Sequence, residues 1–263
     1  MTDSDLRPAS AGSHPTAVVT GASSGIGRAT AARLVADGWR VLAVARRQER
    51  LEELAANTGC DILAVDVTDD DSVARLVERV DELFGGTLNS IVHVAGGALG
   101  VEPAAEADLD HWQRMYDINV LGAVRVTRAL LPAVRASRRG DVLFVTSVAA
   151  HEAYEGGSGY NAAKAGEHML ARALRLELNG ERIRVIEVAP GMVHTEEFSL
   201  VRLGDQAAAD KVYDGVDKPL TADDCADVIA YALNAPHHVN LDLVTVRPLA
   251  QAAAHKVARH QGV

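Results

Sequence analysis

Tyr160 and Lys164 are the residues of this 263-residue chain whose types and spacing invite chemistry. Tyrosine and lysine four apart lie on one face of a helix, one above the other. An ammonium beside a phenol favours the phenolate, drawing down a pKa that is about 10 when unperturbed. A phenol tuned towards neutrality can give or take a proton in a transition state. The same spacing also describes two unremarkable residues on a half-exposed helix, so the rest of the chain must supply what the pair would act with. Tyr154 imitates the pattern without completing it, because Ser158 and not lysine follows it at that distance.

The elements that would position the pair begin with Thr16-Ala17-Val18-Val19-Thr20, an apolar β-branched run suited to a buried parallel strand. It runs into Gly21-Ala22-Ser23-Ser24-Gly25-Ile26-Gly27, and a helix follows to Ala36. Strand, glycine-rich turn and helix form a phosphate site: glycines admit a pyrophosphate to the backbone, and the helix N-terminus presents N–H groups and a positive dipole end. A second strand over 40–45 ends at Arg46-Arg47. An acidic residue there would take a ribose 2′-hydroxyl, whereas two guanidiniums suit a 2′-phosphate. NADP is therefore expected in preference to NAD. A strand over 62–65 leads to Asp66-Val67, and Asp66 is placed to accept from an adenine amino group; its bland alternative is an acid at the start of the next helix. A fourth strand, 88–94, leads to Ala95-Gly96.

The pattern from 108 to 137 predicts one long helix kinked or divided at Pro132. Asn119 sits among its apolar positions, either satisfying a bend or holding a water near a site. A fifth strand, 141–147, brings Ser147 to the carboxyl edge of the sheet. The helix opened by Tyr160 starts from that same edge, so Ser147, Tyr160 and Lys164 can converge. A sixth strand, 183–188, precedes Pro190-Gly191. The polar, irregular stretch 192–215 is long for a plain connection and reads as a lid. A helix over 221–234, a strand over 241–246 and an alanine-rich tail complete the chain. The alternation predicts a single α/β Rossmann-fold domain, residues 16–248, with a doubly wound parallel sheet of about seven strands and helices on both faces. Residues 1–15 read as a disordered tail and 249–263 as a second tail.

Composition narrows the function. The chain is 48% hydrophobic, 24% charged and only 4% aromatic, with formal net charge −10. Few aromatics and excess negative charge argue against a nucleic-acid partner. No apolar run reaches the length of a membrane span. Two cysteines form no disulfide framework, and a cytoplasmic location is expected. The ten histidines show no metal-ligand spacing, so no metal is expected.

Taken together, Thr20 through Gly27, Asp66-Val67, Asn119, Ser147, Tyr160-x-x-x-Lys164 and Pro190-Gly191 with Thr195 resemble the short-chain dehydrogenases/reductases. Arg46-Arg47-Gln48-Glu49-Arg50-Leu51, Glu102-Pro103-Ala104, Pro190-Gly191-Met192-Val193 with Glu197-Phe198, and Pro236 through Asn240 look most like the NADP-dependent 3-hydroxy acid (serine-type) dehydrogenase branch, which also reduces malonic semialdehyde. The resemblance implies an oxidoreductase interconverting an alcohol and an aldehyde or ketone. Tyr160 would be the general acid/base, Lys164 would lower its pKa and hold the nicotinamide ribose, Ser147 would bind the reacting oxygen, and Asn119 would hold a relay water. Pro190, Gly191, Val193 and Thr195 would line the nicotinamide carboxamide. A homotetramer or homodimer is implied, built through the Asn119-bearing helix and the Tyr160 helix.

One departure stands out. His93-Val94 replace the two asparagines usual before Ala95-Gly96, which implies an altered fit at the adenosine ribose with the backbone contacts of Ala95 and Gly96 retained. That departure motivates an alternative, a non-catalytic NADP-binding sensor or scaffold. A nucleotide-sugar epimerase is disfavoured, since too little chain follows Pro190 for a substrate domain. Substrate contacts are expected from 97–102, 151–158 and the lid, with Arg202, Lys211 or His151 as polar candidates.

Overall fold

The computed structural model describes residues 14–260 of the chain. Every residue of β1 (Thr16–Thr20) is buried. On both sides of it lie strands that are nearly as apolar: β2 (Arg40–Ala45) and β4 (Ser90–His93). With β3 (Asp61–Ala64), β5 (Gly140–Val145), β6 (Ile183–Pro190) and β7 (Val244–Val246) they form a seven-stranded sheet in the order β3-β2-β1-β4-β5-β6-β7. All pairings in it are parallel. Strands covered on both faces need no polar alternation, which is why they read as continuous apolar runs.

Helices cover the two faces. Leu34 of α1 (Gly25–Ala36), Leu51 and Leu54 of α2 (Gln48–Thr58) and Ile229 and Leu233 near the C-terminal end pack with Val19, Val41 and Ile186. On the other face Leu76 and Val80 of α3 (Asp70–Phe84) pack with Val18, Ile91 and Phe144. Strand order reverses between β1 and β4, and the crevice at that switch point, outside the strands' carboxyl ends, is where such sheets bind ligands.

The helix expected over 108–137 divides, but not at Pro132. Helix α4 (Leu109–Tyr116) gives way to a π-helical turn (Asp117–Leu121), and α5 (Gly122–Ala136) continues with Pro132 inside it. Arg128, whose carbonyl loses its partner to Pro132, lies on the exposed side of α5, where water can serve that carbonyl. The π turn instead carries Asn119, and such turns recur at functional sites. Helix α6 (Ser158–Glu177) starts two residues before Tyr160.

The lid stretch is less irregular than its composition suggests: it contains α7 (Phe198–Leu203) and α8 (Gln206–Lys211). Helix α9 (Ala222–Asn234) begins on a capping box between Thr221 and Asp224. The residues read as a C-terminal tail form an antiparallel hairpin, β8 (Gln251–Ala253) with β9 (Lys256–Val257). The expected N-terminal tail lies outside the described residues, apart from His14 and Pro15.

Candidate active site

A cavity of about 930 Å³ runs along the carboxyl edge of the sheet. The turn after β1 forms one wall. Gly21 takes φ +68°, and a Cβ there would fall 2.8 Å from the Ala95 nitrogen. A Cβ on Gly27 would enter the contact shell of the Gly21 carbonyl, so the helix and turn pack closely only with glycine at both positions. Ser24, at the N-cap of α1, makes no capping bond; its hydroxyl accepts from Arg47 Nη2 at 3.0 Å. The helix N-terminus is thus left facing the cavity without a side-chain lid of its own. This cradle, which side chains at its glycines would fill, together with two arginines at the end of β2, fits a phosphorylated dinucleotide.

Ser23, Ser24, Gly25, Ile26, Arg46, Arg47, Asp66, Val67, Ala95, Gly96, Pro190, Gly191, Val193 and Thr195 all line the cavity, as do Gly21 and Gly27. Arg47 is not idle. Its guanidinium holds Glu197 of the lid in a two-bond fork, 2.6 and 2.8 Å, and donates to Ser23 at 2.9 Å. Each partner's charged form is favoured by this pair: Arg47 is held above its ordinary range and Glu197 below its own, chiefly by the shared hydrogen bonds. Asp66 accepts from the Thr68 backbone at 2.9 Å and the Thr68 hydroxyl at 2.7 Å through one oxygen. Burial pushes its carboxyl up, but those bonds outweigh it and leave the pKa lowered. The helix-capping role weighed for this region belongs to Asp69, which accepts from Ser72.

The His93-Val94 replacement is absorbed locally. The Thr20 hydroxyl accepts from both Val94 N and Ala95 N at 3.0 Å, tying the end of β4 to β1. His93 points away into the core, bonded to Thr127 at 2.8 Å and stacked on Phe144 with ring centroids 4.8 Å apart. Burial lowers its pKa to about 3, so it is a neutral core group.

Ser147, Tyr160 and Lys164 meet at the cavity's far end, and all three are buried. Ser147 caps the turn that leaves β5, accepting from Ala149 N at 3.1 Å, and lies 3.5 Å from the Pro190 carbonyl. Burial is the largest influence on the Tyr160 phenol and pushes it above its usual value. Lys164 and Ser147 pull the other way without overcoming it. The pull of lysine on the phenol expected from the spacing is therefore present, and desolvation outweighs it. Lys164 itself is held charged: burial opposes the ammonium, but Glu167, Tyr160 and Glu187 together raise its pKa.

Asn119 does not face the cavity. It is fully buried behind Gly96 and Gly97, where its oxygen accepts from Gly97 N at 3.2 Å and its nitrogen donates to Gly97 O at 3.0 Å and Met115 O at 2.7 Å. These bonds satisfy the helix bend and hold the glycine loop against the cavity. A Cβ on Gly96 would meet the Asn119 oxygen at 2.5 Å and the Lys164 ammonium at 3.3 Å.

Three further side chains, Tyr154, Phe198 and Arg202, line the cavity near Tyr160. Phe198 of the lid lies edge-on to the Tyr160 ring, centroids 5.8 Å apart. Arg202, half-buried, reaches over both tyrosines, 5.4 Å from the Tyr154 ring and 5.9 Å from the Tyr160 ring. It donates to Tyr154 Oη at 2.9 Å, Gly156 O at 2.8 Å and Gly100 O at 3.2 Å. Tyr154, a decoy for the tyrosine–lysine pattern, lines the cavity all the same. Of the other polar candidates, Lys211 is exposed on α8 and outside the cavity lining, and His151 turns to Glu187, 3.3 Å away. The hairpin supplies Gln251, which packs on Gly191 and accepts from Met192 N at 2.8 Å. Its nearest local cue, an alanine-rich surround, points away from a site.

Beneath Lys164 lies a charged group that no spacing announced. Glu187, 1% exposed, accepts from Thr146 Oγ1 at 2.6 Å and bonds His168 Nδ1 at 2.7 Å. Its partners come from α6 and from the segment that follows β5.

Residues 15–204 match the family model described as short chain dehydrogenase. An uncharacterized oxidoreductase of Mycobacterium tuberculosis is 52% identical over 245 residues, covering 93% of this chain and 95% of the relative. The serine 3-dehydrogenase of Agrobacterium fabrum is 40% identical over 242 residues, 91% of this chain and 96% of that protein. Among solved structures, the closed form of serine dehydrogenase complexed with NADP+ is similar with a TM-score of 0.87 at 34% identity, covering 94% of this chain and all of the other.

Proposed function

Because the chain belongs to the short-chain dehydrogenase family and is an oxidoreductase, we propose that it interconverts a small anionic alcohol, such as a 3-hydroxy acid, and its carbonyl form with NADP. The observation that carries this reading is the convergence of Ser147, Tyr160, Lys164 and Arg202 on the end of a cavity whose other end is a glycine cradle with Arg46 and Arg47.

In the reducing direction Tyr160 Oη gives its proton to the carbonyl oxygen, and in the oxidising direction it takes the proton of the alcohol. Ser147 holds the reacting oxygen beside that phenol. Lys164, kept charged among buried neighbours, stabilises the phenolate left behind and presents an N–H towards the nicotinamide ribose. The nicotinamide supplies hydride chemistry when bound. Gly191, Val193 and Thr195 line its side of the cavity, and Arg46 and Arg47 take the 2′-phosphate. Asn119 acts by holding Gly96 and Gly97 in place. Arg202 is the cation nearest Tyr160 from the lid. Three of its five N–H groups are engaged among the described residues, which leaves two for a substrate carboxylate. A substrate bearing an acid group accords with the name of the serine 3-dehydrogenase relative.

Assembly into a homodimer or homotetramer is part of the proposal. It is supported by Met169 and Leu176, 56% and 80% exposed on α6, and light scattering measures it. No described helix is long and apolar enough to cross a membrane. A cytoplasmic location is supported by two buried free thiols.

The test is a panel of malonic semialdehyde and neutral aldehydes of matched length, each with NADPH and with NADH. Oxidation of NADPH fastest with malonic semialdehyde is the expected result. Binding of NADPH with no turnover across the panel would favour the sensor reading, and equal use of NADH would overturn the role given to the arginines.

A further inference from the structure

Glu167 lies one turn beyond Lys164 on α6, and the mechanism above does not use it. Its side chain is 1% exposed and that of Lys164 5%, with the ammonium 2.6 Å from Glu167 Oε2. A helix face packed on a sheet ordinarily takes apolar residues, and a buried carboxylate there costs desolvation that packing does not return. The only hydrogen-bond partner of the Glu167 carboxylate among the described residues is Lys164.

We propose that Glu167 is a positioning residue, which clamps the Lys164 ammonium from behind and offsets the pull of that ammonium on the Tyr160 phenol. The inference rests on the reading of Tyr160 and Lys164 as the proton-handling pair.

The geometry of the ammonium supports the clamp. An ammonium has three donors. One goes to Glu167, and a second goes to the carbonyl of Val145, the last residue of β5, at 3.1 Å. The third is left on the side of Gly96, whose missing side chain opens the way to the cavity: a Cβ there would stand 3.3 Å from Nζ. Without the carboxylate, a flexible four-carbon stem would be held by one carbonyl alone.

Charge supports the offset. Glu187 from β6 faces this pair, and Tyr160 lies beside it on the same helix; Tyr160 in turn is faced by Tyr154 from the preceding loop and by Arg202, whose guanidinium carbon stands 5.9 Å from its ring. Glu187 is in turn bonded to His168, with His151 beside it. Against one buried cation, the Glu167 anion reduces the stabilisation that Tyr160 draws from Lys164. Burial brings the Glu167 carboxyl up to about 7, with Lys164 drawing it back, so the offset is present in only part of the molecules near neutral pH.

Glu167→Gln keeps an acceptor for Nζ and removes the charge. Tyr160 ionisation is read in the cofactor-free protein as the tyrosinate absorbance of each variant minus that of its Tyr160→Phe counterpart. Circular dichroism marks the folded range. The expected result is ionisation of Tyr160 about one pH unit lower in the glutamine variant, a tenfold rise in its acid constant. Glu167→Asp, which draws the charge back by one methylene, is expected between the two, and carries the test if the glutamine variant does not fold. An unchanged or higher midpoint, or no ionisation before unfolding in any of them, overturns the proposal. Tyr160→Phe alone, assayed for NADPH oxidation with malonic semialdehyde, tests the underlying reading separately. Full activity there sinks that reading whatever the titration shows, and lost activity with an unmoved titration sinks only the role of Glu167.

Discussion

Replacing Arg202 by glutamine is expected to remove the proposed preference for acids while sparing the chemistry. The guanidinium carbon stands 5.9 Å from the Tyr160 ring, so a carboxylate one or two carbons from the reacting carbon meets the arginine fork at contact distance. Two unit charges at about 4 Å interact by about 4 kcal/mol at an effective dielectric constant of 20. Arg202 is only half-buried, and solvent screening and the ordering of substrate reduce that to about 2–3 kcal/mol. At 1.36 kcal/mol per tenfold, kcat/KM for malonic semialdehyde should fall by about 30- to 150-fold. For a neutral aldehyde of the same length it should change by less than about threefold, because no charge is lost from that complex. Arg202→Lys should recover part of the difference, since the charge returns but the fork does not. Steady-state kinetics with both substrates decide the matter. An equal fall for both would mean that Arg202 only fastens the lid to Gly100 and Gly156, and the proposed acid specificity would be refuted.

Other expectations follow from single contacts. Arg47→Ala should weaken NADPH binding by about tenfold or more and leave NADH nearly unchanged, by fluorescence titration, because the 2′-phosphate loses a charged partner. Glu197→Gln should tighten NADPH, since Arg47 is then released from its two-bond fork. Gly27→Ala should abolish or strongly reduce cofactor binding and lower Tm, because the added methyl enters the Gly21 carbonyl. His93 titrates at about 3 in the folded protein and near 6.5 unfolded, so the unfolded chain binds the extra proton between those values. Its contribution to stability is therefore present above pH 6.5 and lost as the pH falls, by about 1.4 kcal/mol per unit. His93→Asn, which can still reach Thr127, should lose this dependence. Urea melts at pH 7 and pH 5 should show the gap between wild type and variant narrowing on acidification; a constant gap would contradict a buried neutral histidine.

Much of this site was legible because its chemistry is local. Tyr160 and Lys164 are one helical turn apart, the glycine turn is contiguous, and apolar β-branched runs mark strands covered on both faces. Parallel strands then share one carboxyl edge, which brings Ser147 and Pro190 to the same crevice without further information. Pairs formed between distant segments had no such signal. Arg47 and Glu197 are 150 positions apart, and only the folded lid joins them. Gln251 reaches Met192 from a hairpin hidden in an alanine-rich stretch. Asn119 was visible as a polar residue in an apolar stripe, but its partners, Gly97 and Met115, depend on a π turn that periodicity does not announce.

The sequence by itself determined the fold class, the glycine turn after β1 and the stacking of Tyr160 over Lys164, because each depends on residue types at fixed short spacings and on the regular geometry of helices and parallel strands. Only the tertiary structure decided which charges stand beside that pair. A lysine and a glutamate three apart on an exposed helix would form a solvated ion pair; burial of Lys164 and Glu167 beneath the sheet makes theirs a desolvated one, and burial raises the phenol beside them. Solvation is a property of the whole fold, so the pKa of Tyr160 and the reach of Arg202 over it follow from the packing of β6, the lid and the loop after β5 around α6.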